Sequence, residues 1–306
     1  MRVTIIGQAA FGEAVFNRLR SDGVDVVGVS APATPEGGRP DALWAAAEAA
    51  GLAPAPTAAL KADPGVLARW RSIESDLCVM AFVTDILPDD IFGFPALGTI
   101  QYHPSLLPLH RGSSAINWAI INGEAETGLT VFWPDQGIDT GPILLQKTVP
   151  IGPEDTVGSI YFDRLFPMGV DAMAEAVQLV AKGEAPRIDQ RHELSTYEPP
   201  CRDQHAEIRW YEPAARVHAL IRGCNPQPGA WTTYEGDRFR IFDCRLTGEI
   251  APGMPGRVLK IDDEGFDVRL NGGVLRVLRV QPAGGKKMPA GEWAKSAGIA
   301  PGFRFR

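Results

Sequence analysis

Short apolar runs alternate with helical patterns over residues 1–182, and this alternation constrains the fold more than any other feature. Apolar runs bounded by turn residues predict strands, and apolar residues at helical spacing predict helices. Such alternation is typical of a mainly parallel sheet flanked by helices, so we predict an α/β fold with a Rossmann-like sheet. The predicted strands are 2–7, 24–29, 77–82, 99–102, 128–133 and an edge strand at 144–149, and the predicted helices are 11–20, 42–50, 60–73, 114–121 and a long pattern over 155–182 broken at Pro167.

A glycine-containing turn, GQAAFG at residues 7–12, follows the first predicted strand. It is a Gly-x-Ala-x-x-Gly variant of the dinucleotide fingerprint. In NAD-binding proteins the second strand ends in an acidic residue that binds the ribose hydroxyls. Here the second strand runs into Ser30, Ala31 and Pro32. We therefore predict a Rossmann-like fold without a dinucleotide and expect no NAD.

The composition is ordinary for a soluble globular protein. Apolar residues make up 45% and charged residues 22% of the 306 residues, which allows a sizeable core in one large or two moderate domains. No apolar run approaches the roughly 20 residues that cross a bilayer, and the N-terminus reads as a strand rather than a signal peptide. The cysteines at 78, 201, 224 and 244 are far apart. We therefore expect no membrane association, no metal site and a cytoplasmic protein.

The C-terminal third has a different pattern. Residues 187–204 are polar and contain prolines, and we interpret them as a linker between a catalytic domain (1–186) and a C-terminal domain (205–306). From residue 205 the chain holds 16 Lys and Arg against 11 Asp and Glu, whereas the whole chain has a net charge of −7. This excess fits either a solvated surface or contact with a polyanion. A short helix is predicted at 212–222, and the turn-punctuated runs at 230–234, 239–246, 257–261, 266–270 and 274–280 are typical of a small β-barrel.

The residues with catalytic potential concentrate in the stretch 101–142. His103 lies where a predicted strand gives way to a proline-stiffened loop, and ligands bind at the carboxyl ends of strands in open α/β sheets. Asp139 lies in a second loop, before Thr140 and Gly141. An imidazole oriented by a carboxylate can transfer protons at neutral pH. From the residues alone, a second interpretation stays open, in which His103 only caps its strand and 139–141 is a common turn.

Several motifs resemble those of the folate-dependent formyltransferase family. Within that family the chain is most similar to the hydrolase domain of 10-formyltetrahydrofolate dehydrogenase, and it is also similar to methionyl-tRNA formyltransferase. The resemblance covers most of the chain up to Trp231. It also implies an OB-like barrel in the C-terminal domain (205–306). The supporting motifs are HPSLLP at 103–108, HRGSSAINW at 110–118, FWPDQGIDTG at 132–141, LLQK at 144–147, LFPMG at 165–169, IRGCNP at 221–226 and PGAW at 228–231.

The resemblance implies an enzyme with 10-formyltetrahydrofolate as cosubstrate and no metal. His103 would stabilise the developing oxyanion and handle the proton, and Asp139 would orient the imidazole and favour its charged form. Amine-acceptor members carry Asn where this chain has Gln101, and the hydrolase domain has an apolar residue there. Gln101 can still donate a hydrogen bond from a displaced position, so this difference slightly favours the hydrolase.

The resemblance also implies a folate site between two loops. One wall would be the loop after the strand 77–82, and the other would be residues 135–139. The pterin ring needs an apolar slot with backbone donors and acceptors. Phe82, Ile86 and Leu87 could equally be core residues, and for any single one of them the core is the better interpretation. Arg111 could either pair with an acidic substrate group or anchor its loop. The predicted binding residues are Met80, Ala81, Phe82, Ile86, Leu87, Arg111, Asp135 and Gly137.

The identity of the formyl acceptor stays open between water and an amine. Water would give formate and tetrahydrofolate, and an amine would give an N-formyl product. Loop 31–40 has one arginine and one glutamate where the tRNA enzyme has a basic insert, so tRNA is not expected as the acceptor, although the basic C-terminal third argues the other way. No segment supplies the later domains of the dehydrogenase, so its complete activity is not expected. A non-catalytic folate sensor or an NAD-binding protein is the competing class.

Overall fold

The computed structural model describes residues 1–305. They form two compact units, one of Met1–Ser113, Gly128–Val149 and Arg164–Tyr197, and one of Ser114–Thr127, Pro150–Asp163 and the segment that starts at Glu198. The domain boundaries expected from the sequence stay a prediction. In chain order the elements are β1 Arg2–Gly7, α1 Ala9–Ser21, β2 Asp25–Ala31, α2 Ala42–Ala49, β3 Ala55–Pro56, α3 Thr57–Ala62, α4 Pro64–Arg71, β4 Leu77–Ala81, α5 Asp89–Phe92, β5 Thr99–His103, α6 Ala115–Ile121, β6 Glu126–Phe132, β7 Ile143–Pro150, α7 Val157–Ile160, α8 Phe166–Lys182, α9 Ala214–Gly223, β8 Ala230–Tyr234, β9 Asp237–Ile241, β10 Cys244–Leu246, β11 Val258–Ile261, β12 Phe266–Leu270, β13 Gly273–Val277, β14 Arg279–Gln281, β15 Met288–Pro289 and α10 Ala290–Ser296.

The first unit is built on a seven-stranded sheet with the order β3-β2-β1-β4-β5-β6-β7. The five strands β3, β2, β1, β4 and β5 pair in parallel with their neighbours, whereas β6 runs antiparallel to β5. The prediction of an α/β, Rossmann-like and mainly parallel sheet is therefore confirmed. Strand β7 lies at the sheet edge, as predicted for residues 144–149.

Two helix predictions differ from the structure in ways that proline explains. The single helix predicted over 60–73 is wrong, because α3 ends before Pro64 and α4 begins there. The Asp63 carboxylate accepts hydrogen bonds from the N–H groups of Gly65 and Val66, which caps the new helix. In the region 155–182 a π-helical turn precedes α8, and Pro167 lies in the first turn of that helix, where its missing N–H costs nothing. Among the described residues, none of the helices combines the length and the apolar character that crossing a membrane requires.

The two faces of the central sheet are covered by different helices, and this separates core residues from site residues. The Tyr102 ring packs 4.4 Å, centroid to centroid, from the ring of Phe11 on α1. Gly169 on α8 lets both rings approach, since a Cβ there would lie 2.8 Å from Tyr102. Because side chains alternate along a strand, Gln101 and His103 lie on the opposite face.

The second unit contains two four-stranded antiparallel sheets with the orders β10-β13-β12-β11 and β15-β14-β9-β8. This antiparallel part is consistent with the predicted small barrel. Its core contains a group of aromatic side chains whose rings are stacked or tilted at centroid distances from 4.1 Å to 5.9 Å. The predicted strands 239–246 and 274–280 are each divided into two shorter strands. The contributing rings are Phe239, Phe266, Trp293 and Phe305.

Stability of the second unit should depend on His218, a buried residue of α9 whose Nε2 has no hydrogen-bond partner. Burial, together with the charge of Arg222, lowers the pKa of His218 from 6.5 to about 4. The folded state therefore takes up this proton less readily than the unfolded state, and stability should fall as the pH drops from 6.5 to about 4.

We expect the free energy of unfolding of wild type to fall more steeply over this pH window than that of His218→Gln, which cannot titrate. Urea unfolding at several pH values measures both slopes. Parallel curves for the two proteins would contradict the prediction.

Candidate active site

The sheet register places the candidate catalytic residues at the carboxyl end of β5. Gln101 lies between Met80 of β4 and Phe132 of β6, and His103 lies opposite Thr130. In open α/β sheets this edge is where ligands bind. The Gln101 side chain is partly exposed, and within residues 1–305 its amide makes no hydrogen bond. Gln101 and His103 therefore present one free amide and one imidazole on the same face of the same strand.

The imidazole of His103 is buried and has an oxygen acceptor at each nitrogen. Nε2 lies 2.8 Å from the backbone carbonyl oxygen of His110. A carbonyl can only accept a hydrogen bond, so Nε2 carries the proton. Nδ1 lies 3.5 Å from Oδ2 of Asp139, which is too long for a short hydrogen bond and forms an ion pair only when both nitrogens of the imidazole are protonated. The structure thus brings together the two residues that the sequence predicted as a pair.

The position of Asp139 depends on an unusual backbone conformation. Its φ is +55°, in the left-handed region that residues other than glycine rarely adopt. Its Oδ2 accepts a hydrogen bond of 2.8 Å from the N–H of Gly112. Gly141, two residues later, lies very close to the backbone of Trp133. A Cβ on Gly141 would lie 1.8 Å from the carbonyl oxygen of Trp133. The aspartate loop is therefore held by backbone packing as well as by its carboxylate.

Thr130 fixes the loop that follows His103. This fully buried side chain donates to the carbonyl of Ser105 at 2.6 Å and accepts from the N–H of Leu107 at 3.1 Å. The Gln146 amide also contacts the Thr130 hydroxyl, at 2.9 Å. Thr130 lies outside the motifs that the sequence shows, and Gln146, although it lies in the LLQK motif at 144–147, was not predicted as a site residue. Both act through partners on other elements.

Arg111 is buried, and its guanidinium bonds to neighbouring side chains. One terminal nitrogen donates to Oε1 of Gln190 at 2.7 Å and to Nδ1 of His192 at 3.0 Å. Its Nε is buried without a partner. Of the two interpretations that the sequence left open, anchoring of its loop agrees with these contacts. A role toward substrate stays a prediction.

The predicted folate residues divide into buried and exposed groups. Met80 and Leu87 belong to a core cluster with Trp70 and Ile91, and the Ala81 side chain is fully buried. Phe82 has a φ of +61° and is 36% exposed, and Ile86 is 77% exposed. In the loop after β4, the side chains that can meet a ligand without rearrangement are therefore those of Phe82 and Ile86.

Two cavities of the first unit are lined by residues of the predicted folate walls. A cavity of about 270 Å³ is lined by Phe82 together with residues at the end of β1 and after β2, including Gly7 and Pro32. A cavity of about 530 Å³ is lined by Asp135 and by α5 residues such as Phe92. The two predicted walls thus line separate cavities. The Asp135 carboxylate accepts hydrogen bonds from Thr140 and from the N–H of Gly137, so it shapes its own loop.

Residues 1–305 contain no group of three or more His, Cys, Asp or Glu side chains able to hold a metal ion.

The fold and the site together define an α/β protein with a histidine–aspartate pair at the carboxyl end of its parallel sheet.

Comparison with known proteins identifies the family to which this α/β protein belongs. The family model described as formyl transferase matches residues 1–177, and the model of the formyl transferase C-terminal domain matches residues 201–298. The chain belongs to the formyl transferase family.

Two relatives from different branches match over nearly the whole chain. The chain is 39% identical to a cytosolic 10-formyltetrahydrofolate dehydrogenase of Xenopus laevis over 98% of its own length but only 35% of that protein. It therefore spans about a third of the length of that dehydrogenase. It is 37% identical to a methionyl-tRNA formyltransferase of Moorella thermoacetica, covering 99% of this chain and 98% of the relative.

A solved structure confirms the formyltransferase fold. The N-formyltransferase from Helicobacter canadensis, in complex with folinic acid and dTDP-3-aminofucose, superposes with a TM-score of 0.71 at 18% identity. The match covers 90% of this chain and 98% of that structure.

Removal of the Thr130 hydroxyl should destabilise the loop after His103. Thr130→Val keeps the shape of the side chain but leaves buried groups of Ser105 and Leu107 without partners, so we expect a loss of about 2 kcal/mol in the free energy of unfolding. Thr148→Val, the same change at an exposed position of β7, should stay within about 0.5 kcal/mol of wild type. Denaturant titration measures both, and equal stabilities of the two variants would contradict the assignment.

Proposed function

We propose that this protein uses 10-formyltetrahydrofolate as a formyl donor and passes the formyl group to an acceptor or releases it as formate. The observation that carries the proposal is the buried His103–Asp139 pair at the sheet edge, within the region that matches the formyl transferase model. The name of the dehydrogenase relative and the folinic acid in the Helicobacter enzyme support a folate as the donor. We retain the two predicted walls, the loop after β4 and residues 135–139, as the proposed folate site.

The contacts of His103 indicate different roles for its two ring nitrogens. Nε2 donates to the His110 carbonyl and so fixes the ring. Nδ1 is then the nitrogen that can exchange a proton or stabilise charge, with Asp139 next to it. When an acceptor attacks the formyl carbon, the carbonyl oxygen becomes an oxyanion, and the bond to N10 breaks as N10 takes up a proton. We assign oxyanion stabilisation and proton transfer to His103, and orientation of the ring to Asp139.

Two contacts near β1 support the proposal that the sheet serves a folate rather than NAD. The N–H of Ala9, at the amino end of α1, donates to the Asp41 carboxylate at 2.8 Å. A pyrophosphate would bind at this helix terminus in a dinucleotide protein, and the acid already occupies it. A Cβ at Gly7 would lie 2.3 Å from the Ala81 carbonyl oxygen, so this glycine is required for strand packing.

The acceptor is either water or an amine. The similarity to the dehydrogenase and the replacement of Asn by Gln101 favour water, with formate as product. The methionyl-tRNA formyltransferase, similar over its full length, favours an aminoacyl-tRNA as a second candidate. The expectation that tRNA is not the acceptor receives no support from this relative.

We expect His103→Ala and Asp139→Asn each to lower turnover by on the order of 100-fold or more with folding intact. The first removes the imidazole, and the second removes the negative charge beside Nδ1. Turnover is measured as tetrahydrofolate released from 10-formyltetrahydrofolate.

Asp237→Asn, at an exposed position of β9, makes the same chemical change as Asp139→Asn and should leave turnover at the wild-type level. Near-normal turnover in either site variant would refute the assignment.

Gln101 should decide how the formyl oxygen is held. Gln101→Asn shortens the side chain to the form found in amine-acceptor members of the family, so the transfer step should change by about tenfold, roughly 1.4 kcal/mol. Folate binding should not change, because neither proposed wall is altered. If water is the native acceptor, transfer to added amines should rise while formate release falls. Unchanged rates of both would mean that Gln101 points away from the formyl group.

A further inference from the structure

Residues 187–197, here called the crossing segment, lie between the regions that the two family models match. Although the sequence reads as a linker, this segment hydrogen-bonds to both sides of the candidate site. At one end Ile188 pairs with Ile143, which follows the aspartate loop, through bonds of 2.7 Å and 3.0 Å. At the other end Thr196 accepts from the N–H groups of His110 and Arg111, which follow the histidine loop.

Gln190 is the residue of the crossing segment that joins the two sides directly. Its side chain is 5% exposed and makes three hydrogen bonds. Nε2 donates to the backbone carbonyl of Asp139 at 2.9 Å and to that of Gly141 at 2.7 Å. Oε1 accepts from Arg111 at 2.7 Å.

These bonds act on the residue whose backbone most needs support. A non-glycine residue in the left-handed region carries a conformational cost of order 1 to 3 kcal/mol and persists only where its surroundings enforce it. Asp139, with φ +55°, is such a residue. Turning its peptide out of this conformation would move the carboxylate away from Nδ1 of His103.

We propose that Gln190 is a positioning residue for the reaction, because it holds the Asp139 backbone in the conformation that aims the carboxylate at His103. This inference rests on the proposed function for its catalytic consequence. Its structural content, that Gln190 sets the surroundings of the His103 ring, does not depend on which acceptor is used.

Arg111 allows one contact of Gln190 to be kept while the contacts with the aspartate loop are removed. Within residues 1–305 this buried guanidinium has no ion pair with a carboxylate. Gln190→Glu would keep the acceptor for Arg111 and add a charge that attracts it. The same change would remove the donor to Asp139 and Gly141 and set a carboxylate against their carbonyl oxygens. We therefore expect the contact with Arg111 to be kept or strengthened while the two carbonyl oxygens lose their donor and the aspartate loop shifts.

The experiment compares Gln190→Glu with Gln178→Glu, which makes the same change on the exposed side of α8. NMR of the imidazole resonances should show a shift for His103 in Gln190→Glu and none in Gln178→Glu. Gln190→Met, which removes all three hydrogen bonds without adding charge, should shift the same resonances. Unchanged His103 resonances in both Gln190 variants would overturn the proposal.

Kinetics supply the second measurement. We expect Gln190→Glu to lower kcat at least about tenfold with KM for the folate unchanged, since small displacements of a catalytic group are costly. In an Asp139→Asn background the same substitution should change kcat by less than about twofold, because the charge it positions is gone. An equal loss in both backgrounds would overturn the proposal. If wild type itself does not act on 10-formyltetrahydrofolate, the proposed function fails, and the NMR comparison still decides the role of Gln190.

Discussion

The His103 ring is held between two oxygen acceptors, and the candidate site depends on this arrangement. The His110 carbonyl takes the proton of Nε2, and the Asp139 carboxylate lies 3.5 Å from Nδ1. Neither acceptor is on the strand that carries the histidine. Both loops must therefore be fixed for the ring to keep its orientation, since an imidazole with one free nitrogen could rotate about its side-chain bonds. Preorganisation of this kind is what allows charge to be stabilised without reorganisation during a reaction.

The sheet provides the fixed frame for these loops. Tyr102 is anchored against Phe11 and Gly169 on the helical face, which fixes the register of β5 and turns Gln101 and His103 to the other face. A slip of one residue would exchange the buried and site-facing sets. The antiparallel partner β6 contributes Thr130, so the strand that borders the site also holds the loop after it. Core packing and site geometry are thus parts of one arrangement.

The sequence could predict the sheet and the histidine–aspartate pair, but not what supports them. Strands show their apolar runs locally, and His103 and Asp139 lie in specific motifs. Gln190 has no such signal, because its hydrogen bonds reach residues 49, 51 and 79 positions away and its segment is polar. The division of helix 60–73 required weighing one Asp-Pro pair against a continuous apolar pattern. The sequence favoured a core position for Leu87, which is buried, but also for Phe82 and Ile86, which are exposed, because an apolar run does not reveal which of its members face a cavity.

The most direct measurement of the central claim is incubation of the wild-type protein with 10-formyltetrahydrofolate alone, with methionyl-tRNA, and with a dTDP-amino sugar, while tetrahydrofolate is followed. The account predicts that tetrahydrofolate appears, accompanied by formate if water is the acceptor and by the N-formyl product if an amine is. A folded protein that releases no tetrahydrofolate under any of these three conditions would contradict the account.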